Sequence, residues 1–91
     1  MPEIFRAYGF VFMFFSHEHE PIHVHVIGKG GDAKYVWNGK EFVFSEQHDI
    51  GPQDLKKIKA MIDNNSDIIV DHWMRFFYKK NDENKETLVQ R

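Results

Sequence analysis

The stretch IHVHVIGKGGDAKYVWNGKEFVF, residues 22–44, decides the fold of this chain. Its first part, residues 22–27, alternates aliphatic side chains with histidines, which is the period of a β-strand with one buried face. Further on, Asn38-Gly39 separates two runs rich in aromatic and β-branched residues, which predicts a two-residue hairpin that pairs Tyr35 with Phe42. The stretch therefore predicts three consecutive antiparallel strands.

The sequence on either side extends this sheet and then changes period. Two further strands are predicted before it, at residues 4–8 and 10–15. The second of these is apolar on both faces, so we expect helices on one face and a loop or a partner chain on the other. After the sheet, helical spacing begins at Pro52 and again after Ser66, which we expect to cap the second helix. The predicted fold class is α+β: an antiparallel sheet of about five strands, followed by two helices packed on one face.

Composition limits the classes of function. The 91 residues suffice for one domain, which we assign to residues 1–80, with residues 81–91 as a polar, flexible tail. A formal net charge of −2 argues against general affinity for nucleic acid. The chain has no cysteine, so a metal would need His, Asp or Glu ligands. The start lacks a signal peptide and the longest apolar run is too short to span a bilayer, which predicts a cytoplasmic protein with no membrane partner.

Four histidines lie within the nine residues 17–25. His23 and His25 share one face of the predicted strand because side chains two residues apart point the same way. His17 and His19 lie just before it, interleaved with glutamates. A tetrahedral zinc ion needs about four ligands, so this segment predicts a site for Zn²⁺ or another divalent transition metal.

The predicted metal ligands are His19, His23 and His25, with Glu20 and His17 as weaker candidates. Two other interpretations stay open. The histidines can form a polar surface that faces a partner, or an acid–base pair, as in a small ribonuclease. The length of the glycine-rich loop also leaves open which residue of the strand lies opposite Tyr35, and a slip of one residue would turn the histidines to the other face of the sheet.

The chain resembles the domain of unknown function 4160 family of small bacterial proteins over roughly residues 1–78. The matching stretches are the opening Met1–Arg6 with Tyr8-Gly9, the centre His19–Val26, the pair Ala33-Lys34, and the helical pair that ends at Trp73. The family centre usually reads Glu-His-x-Pro-Pro-His-Val-His-Val. Here Ile22 replaces the second proline, His19, His23 and His25 match, and His17 is not part of the pattern.

The resemblance implies an interaction protein, in arrangements similar to toxin–antitoxin modules, that regulates a partner or its own gene. We therefore expect a small binding or regulatory module rather than an enzyme, with the histidine strand as its functional surface. Its expected partner is another protein or a second copy of the chain, and nucleic acid is the less supported partner. The alternatives are a metal-binding protein or metal-dependent hydrolase that uses the histidines, and a small ribonuclease.

Overall fold

The structure is a computed structural model that describes residues 3–15 and 21–79. Five strands form one antiparallel sheet in the order β1-β2-β3-β4-β5, and two α-helices follow. The elements are β1 Glu3–Ala7, β2 Phe10–Met13, β3 His23–Gly28, β4 Gly31–Trp37, β5 Phe42–His48, α1 Pro52–Asn64 and α2 Ser66–Trp73, which a π-helical segment extends over Met74–Lys79. The predicted α+β class is confirmed. The predicted tail, residues 81–91, lies outside the described residues.

Tight turns set the register of the first four strands. Tyr8-Gly9 joins β1 to β2 and Lys29-Gly30 joins β3 to β4, and all four of these residues have positive φ, as a type I′ turn requires. The second turn places Gly28 opposite Gly31 and Val24 opposite Tyr35. The glycine-rich loop thus has only two residues, so Val24 and not a histidine lies opposite Tyr35, and the aliphatic face of β3 turns toward the core.

The predicted hairpin at Asn38-Gly39 is wrong in its register. Tyr35 pairs with Phe44 rather than Phe42, and the loop spans residues 38–41. The side-chain oxygen of Asn38 accepts hydrogen bonds from the backbone amides of residues 40 and 41, at 2.8 and 2.9 Å. This side-chain turn competes with the two-residue turn and stabilises the longer loop.

The core lies between one face of the sheet and the two helices. The sheet contributes aromatic and aliphatic side chains that alternate along the strands, and each helix contributes one apolar stripe. Its fully buried members include Phe10, Phe12, Phe14, Val24, Val26, Ala33, Tyr35, Phe42, Ile58, Ile62, Ile69 and Trp73. The sheet is therefore packed on one face by the helices, as the sequence predicted.

The junction between the helices differs from the expected one. Asn65, not Ser66, is the N-cap of α2, and it makes no capping hydrogen bond through its side chain. Its side-chain amide instead donates to the carbonyl oxygen of Met61, at 2.8 Å, and so closes the end of α1. None of the helices in the described ranges is long and apolar enough to cross a membrane.

Candidate functional site

β3 turns His23 and His25 to the side of the strand opposite Val24 and Val26, and His23, at the start of the strand, also contacts the core residue Trp73. His25 lies opposite Lys34 and His23 lies opposite Val36, while Val24 and Val26 point into the core. The two imidazole centroids are 5.3 Å apart and the ring planes are nearly perpendicular, at 80°. The strand alternation thus brings the pair into direct contact.

His23 is a buried histidine with a defined tautomer. Its side chain is only 6% exposed. Its Nδ1 lies 2.7 Å from the carbonyl oxygen of Pro21, and a carbonyl accepts only, so Nδ1 carries the proton and donates. In the neutral ring, Nε2 then carries the lone pair. Nε2 is buried, and the His23 ring lies beside the Trp73 indole, with ring centroids 5.4 Å apart.

His25 lies beside His23 and borders a groove. Its ring stacks on Phe15, with centroids 3.9 Å apart and planes 18° from parallel. The groove has a volume of about 490 Å³ and runs past the β3–β4 turn. Stacking between two rings holds the imidazole in one orientation at the groove wall.

The polar lining of this groove comes from three neighbouring strands. Lys34 of β4 lies between His25 of β3 and Glu46 of β5, because it pairs with both. Asp32 also lines the groove, and its carboxylate lies 3.3 Å from Nδ1 of His48. The described lining therefore holds two carboxylates against one ammonium, which disfavours a polyanion and suits a surface of mixed charge.

Only part of the predicted metal set can be located. His23 and His25 come together as predicted, whereas His17, His19 and Glu20 lie outside the described residues. Within residues 3–15 and 21–79, no three His, Asp or Glu side chains are grouped so that they could hold one ion. The metal site and the acid–base pair both remain predictions.

Sequence reasoning missed the residues that surround the pair. Phe15 was assigned to a strand, but it follows β2 and its ring covers His25. Trp73 ends the second predicted helix, and it contacts His23. Glu46 lies beyond residues 22–44, the stretch that predicts the last three strands, but it belongs to β5. The alternation of Lys34 with Ala33 and Tyr35 was the available signal for a polar residue on the histidine face.

Comparison with known protein families gives a match. The family model described as domain of unknown function (DUF4160) matches residues 9–74, which include β2 to β5, both α-helices and both located histidines. No curated protein and no solved structure matches the chain.

Proposed function

We propose that this chain, which belongs to the domain of unknown function 4160 family, is a small non-catalytic binding module whose functional surface is the histidine groove. We define the histidine groove by His25, Asp32, Lys34 and Glu46. One observation carries the proposal: these side chains line a cavity on the sheet face that the two helices leave uncovered. Regulation of a partner in the manner of a toxin–antitoxin module is part of the same proposal.

The partner class follows from charge and shape. The groove offers an ammonium between an imidazole and a carboxylate on three adjacent strands, which is a pattern that a folded protein surface of mixed charge can complement. Aromatic stacking at Phe15 adds a rigid apolar contact of the kind common in protein interfaces. With two carboxylates against one lysine, the lining would repel the phosphates of a nucleic acid.

A charge reversal inside the groove tests this function. Tagged wild type and Lys34→Glu are used for quantitative affinity purification from the source cells. The matched control is Lys57→Glu, because Lys57 is an exposed residue of α1. The proposal expects at least one protein that wild type and the control retain and that Lys34→Glu loses. That protein is then purified, and its dissociation constant should rise at least tenfold with Lys34→Glu, about 1.4 kcal/mol.

Two results would overturn the binding function. One is that no captured protein distinguishes Lys34→Glu from Lys57→Glu. The other is a fluorescence anisotropy titration in which an RNA oligonucleotide binds and Lys34→Glu releases it, since the groove would then recognise a polyanion. Circular dichroism of each variant excludes unfolding as the cause of a loss.

A metal site is the second candidate function, and the geometry of His23 favours it. Metal-binding histidines commonly donate one ring N–H to a backbone carbonyl, which fixes the tautomer and orients the ring, and His23 makes this hydrogen bond to Pro21. Two imidazoles bound to one tetrahedral zinc, at Zn–N distances of about 2.0–2.1 Å, have centroids roughly 5 Å apart. The observed separation of 5.3 Å fits such a pair. In this proposal His19 completes the set.

Isothermal titration of tag-free protein with ZnCl₂ and with NiCl₂ tests the metal function. The expected result is one ion per chain, with binding lost in His25→Ala and His19→Ala. His48→Ala is the matched control, because His48 is an exposed histidine on β5, whereas His23 and His25 lie on β3. Absence of heat with either metal, or equal binding by His25→Ala and wild type, would remove this function.

A further inference from the structure

A second surface lies at the edge of the sheet that β5 forms, beside helix α1 and away from the histidine groove. Strand β5 is the last strand in the sheet order, so one of its edges has no neighbouring strand in the described part of the chain. A strand edge of this kind carries unpaired backbone donors and acceptors, which can pair with another extended chain.

The first half of β5 lacks the features that usually protect such an edge. Residues 42–45 read Phe-Val-Phe-Ser and contain no charge and no proline. Val43 and Phe44 are 43% and 49% exposed, large fractions for apolar side chains in a strand. A β-bulge follows, because Tyr35 pairs with Phe44 while Lys34 pairs with Glu46, which leaves Ser45 unmatched. The edge available for regular pairing is therefore its apolar half.

A cavity of about 580 Å³ lies between this half of β5 and helix α1. Its apolar lining comes from Tyr35, Phe44, Pro52 and Leu55, with the Phe44 ring edge-on to Tyr35 at 5.8 Å. We call this cavity the β5–α1 groove. A side chain that alternates inward from a strand added at β5 would have an apolar pocket to fill.

The charged residues of the β5–α1 groove all have one sign. Lys56 and Lys59 line it, and no acidic residue does so among the described residues. Lys59 already contacts Asp63 at 2.7 Å and Glu41 at 3.4 Å, whereas Lys56 has no ion-pair partner in the described ranges. Lys56 is therefore the ammonium available to a ligand, and a carboxylate of the ligand can form a charge-assisted hydrogen bond with it.

From these observations we infer that the β5–α1 groove binds an extended segment of a partner protein that adds to β5, places an apolar side chain beside Phe44 and presents an acidic residue to Lys56. A second copy of this chain fits less well. A two-fold symmetric pairing of β5 with itself brings the same patch of both copies together, so lysine rims of equal charge would approach each other. This inference does not depend on the histidine groove.

Selection of peptides from a phage-displayed library of random decapeptides tests the inference. Wild type should enrich sequences with alternating apolar residues and an Asp or Glu, and Lys56→Glu should enrich Lys or Arg at that position instead. A selected peptide, synthesised with a fluorophore, should bind Phe44→Ser at least tenfold more weakly than wild type. Ile68→Ser is the matched control, because Ile68 is 45% exposed but lies on α2, outside the lining of the β5–α1 groove, and it should retain binding within about threefold.

Backbone modification of the selected peptide identifies strand addition. Two N-methylated forms of the peptide are compared, one methylated at the odd-numbered and one at the even-numbered residues. One form should lose binding and the other should keep it, because only every second amide of an edge strand faces the neighbouring strand. Lys34→Glu should bind the selected peptide with the wild-type affinity, which would show that the peptide does not bind in the histidine groove.

Three results would overturn the inference. The first is a selection that enriches no peptide sequence, or one in which wild type and Lys56→Glu enrich the same sequences. The second is a peptide whose affinity is the same for wild type and Phe44→Ser. The third is light scattering that shows a dimer which Phe44→Ser dissociates, since the occupant would then be a second copy.

Discussion

Gly28, at the end of β3, and Gly30, in the β3–β4 turn, should respond very differently to substitution by alanine. A methyl group on Gly28 would lie 2.3 Å from the carbonyl oxygen of Gly9 and 2.9 Å from the ring of Phe10. A methyl group on Gly30 would meet no atom within 4 Å, but Gly30 has a φ of +80°. The first substitution tests the close approach of β3 to β2, and the second tests only the backbone conformation.

Gly28→Ala adds only one methyl group, but we expect it to lower the free energy of unfolding substantially. Non-bonded carbon atoms normally lie about 3.5–4.0 Å apart, so the backbone near Gly9 would have to move by roughly 1 Å. Overpacking of this kind costs about 1–3 kcal/mol, and because backbone atoms yield little we expect about 2–3 kcal/mol. At about 4–8 °C per kcal/mol for a domain of this size, Gly28→Ala should lower Tm by roughly 10–20 °C.

The expected cost at Gly30 is smaller because two effects oppose each other. An alanine in the left-handed region costs about 1–2 kcal/mol, while the lower entropy of the unfolded alanine chain returns about 0.4–1 kcal/mol. The net loss should be about 0.5–1 kcal/mol. Urea unfolding followed by tryptophan fluorescence measures both variants. Equal losses in Gly28→Ala and Gly30→Ala, or a loss below about 0.5 kcal/mol for Gly28→Ala, would refute the packing of β2 against β3.

Three further predictions concern the core, the β4–β5 loop and the β5–α1 groove. Trp73→Ala should lose about 3–5 kcal/mol by chemical denaturation, because the indole is 1% exposed and packs on Phe14 and His23; a loss under about 1 kcal/mol would contradict its core position. Asn38→Ala should lose roughly 1 kcal/mol in urea because two backbone amides lose their acceptor, and unchanged stability would contradict the side-chain turn. Burial raises the pKa of Tyr35 above its ordinary value of 10.0, with smaller effects from Lys59 and Asp63. Its phenol should therefore ionise at higher pH than the phenol of a free tyrosine in a titration followed at 295 nm. Since the folded state holds the Tyr35 proton more tightly, this proton contributes fully to the free energy of unfolding at pH values below the pKa of tyrosine in the unfolded chain. The contribution is lost as pH rises through the pKa of Tyr35 in the folded protein. In Tyr35→Phe this part of the decrease in stability at high pH should be absent.

The sequence was sufficient where a short-range pattern has one structural meaning. Alternation at residues 22–27 predicted both the strand and the shared face of His23 and His25, because a period of two has no helical counterpart. The helical stripes were predicted by spacing in the same way. Register was not, since it depends on turn conformation: Asn38 forms a side-chain turn where a type I′ turn was expected, and Lys29 takes positive φ although it is not a glycine.

The candidate site was predictable only along its own strand. Spacing identifies which side chains of β3 lie together, but Lys34 and Glu46 join the groove through pairing across strands, and Phe15 joins it through a segment beyond the end of β2. Contacts of this kind depend on the register and on the chain path, which a single sequence constrains weakly. The burial of His23 by Trp73 is a contact between residues fifty positions apart and has no local signal.

The two faces of this small sheet thus have different chemistry, and this difference has a physical origin. The helices cover the aliphatic face, and Phe44 remains 49% exposed on this face because it lies at the β5 edge. On the other face, His25 and the charged side chains of the histidine groove border open space and not a helix, so this part of the sheet need not be apolar. An apolar edge beside lysines suits an extended acidic segment, whereas a groove of mixed charge suits a folded surface. Because the two surfaces make different demands on a ligand, Lys34→Glu and Lys56→Glu should affect different ligands, and loss of the same ligand in both variants would show that the chain has one binding surface rather than two.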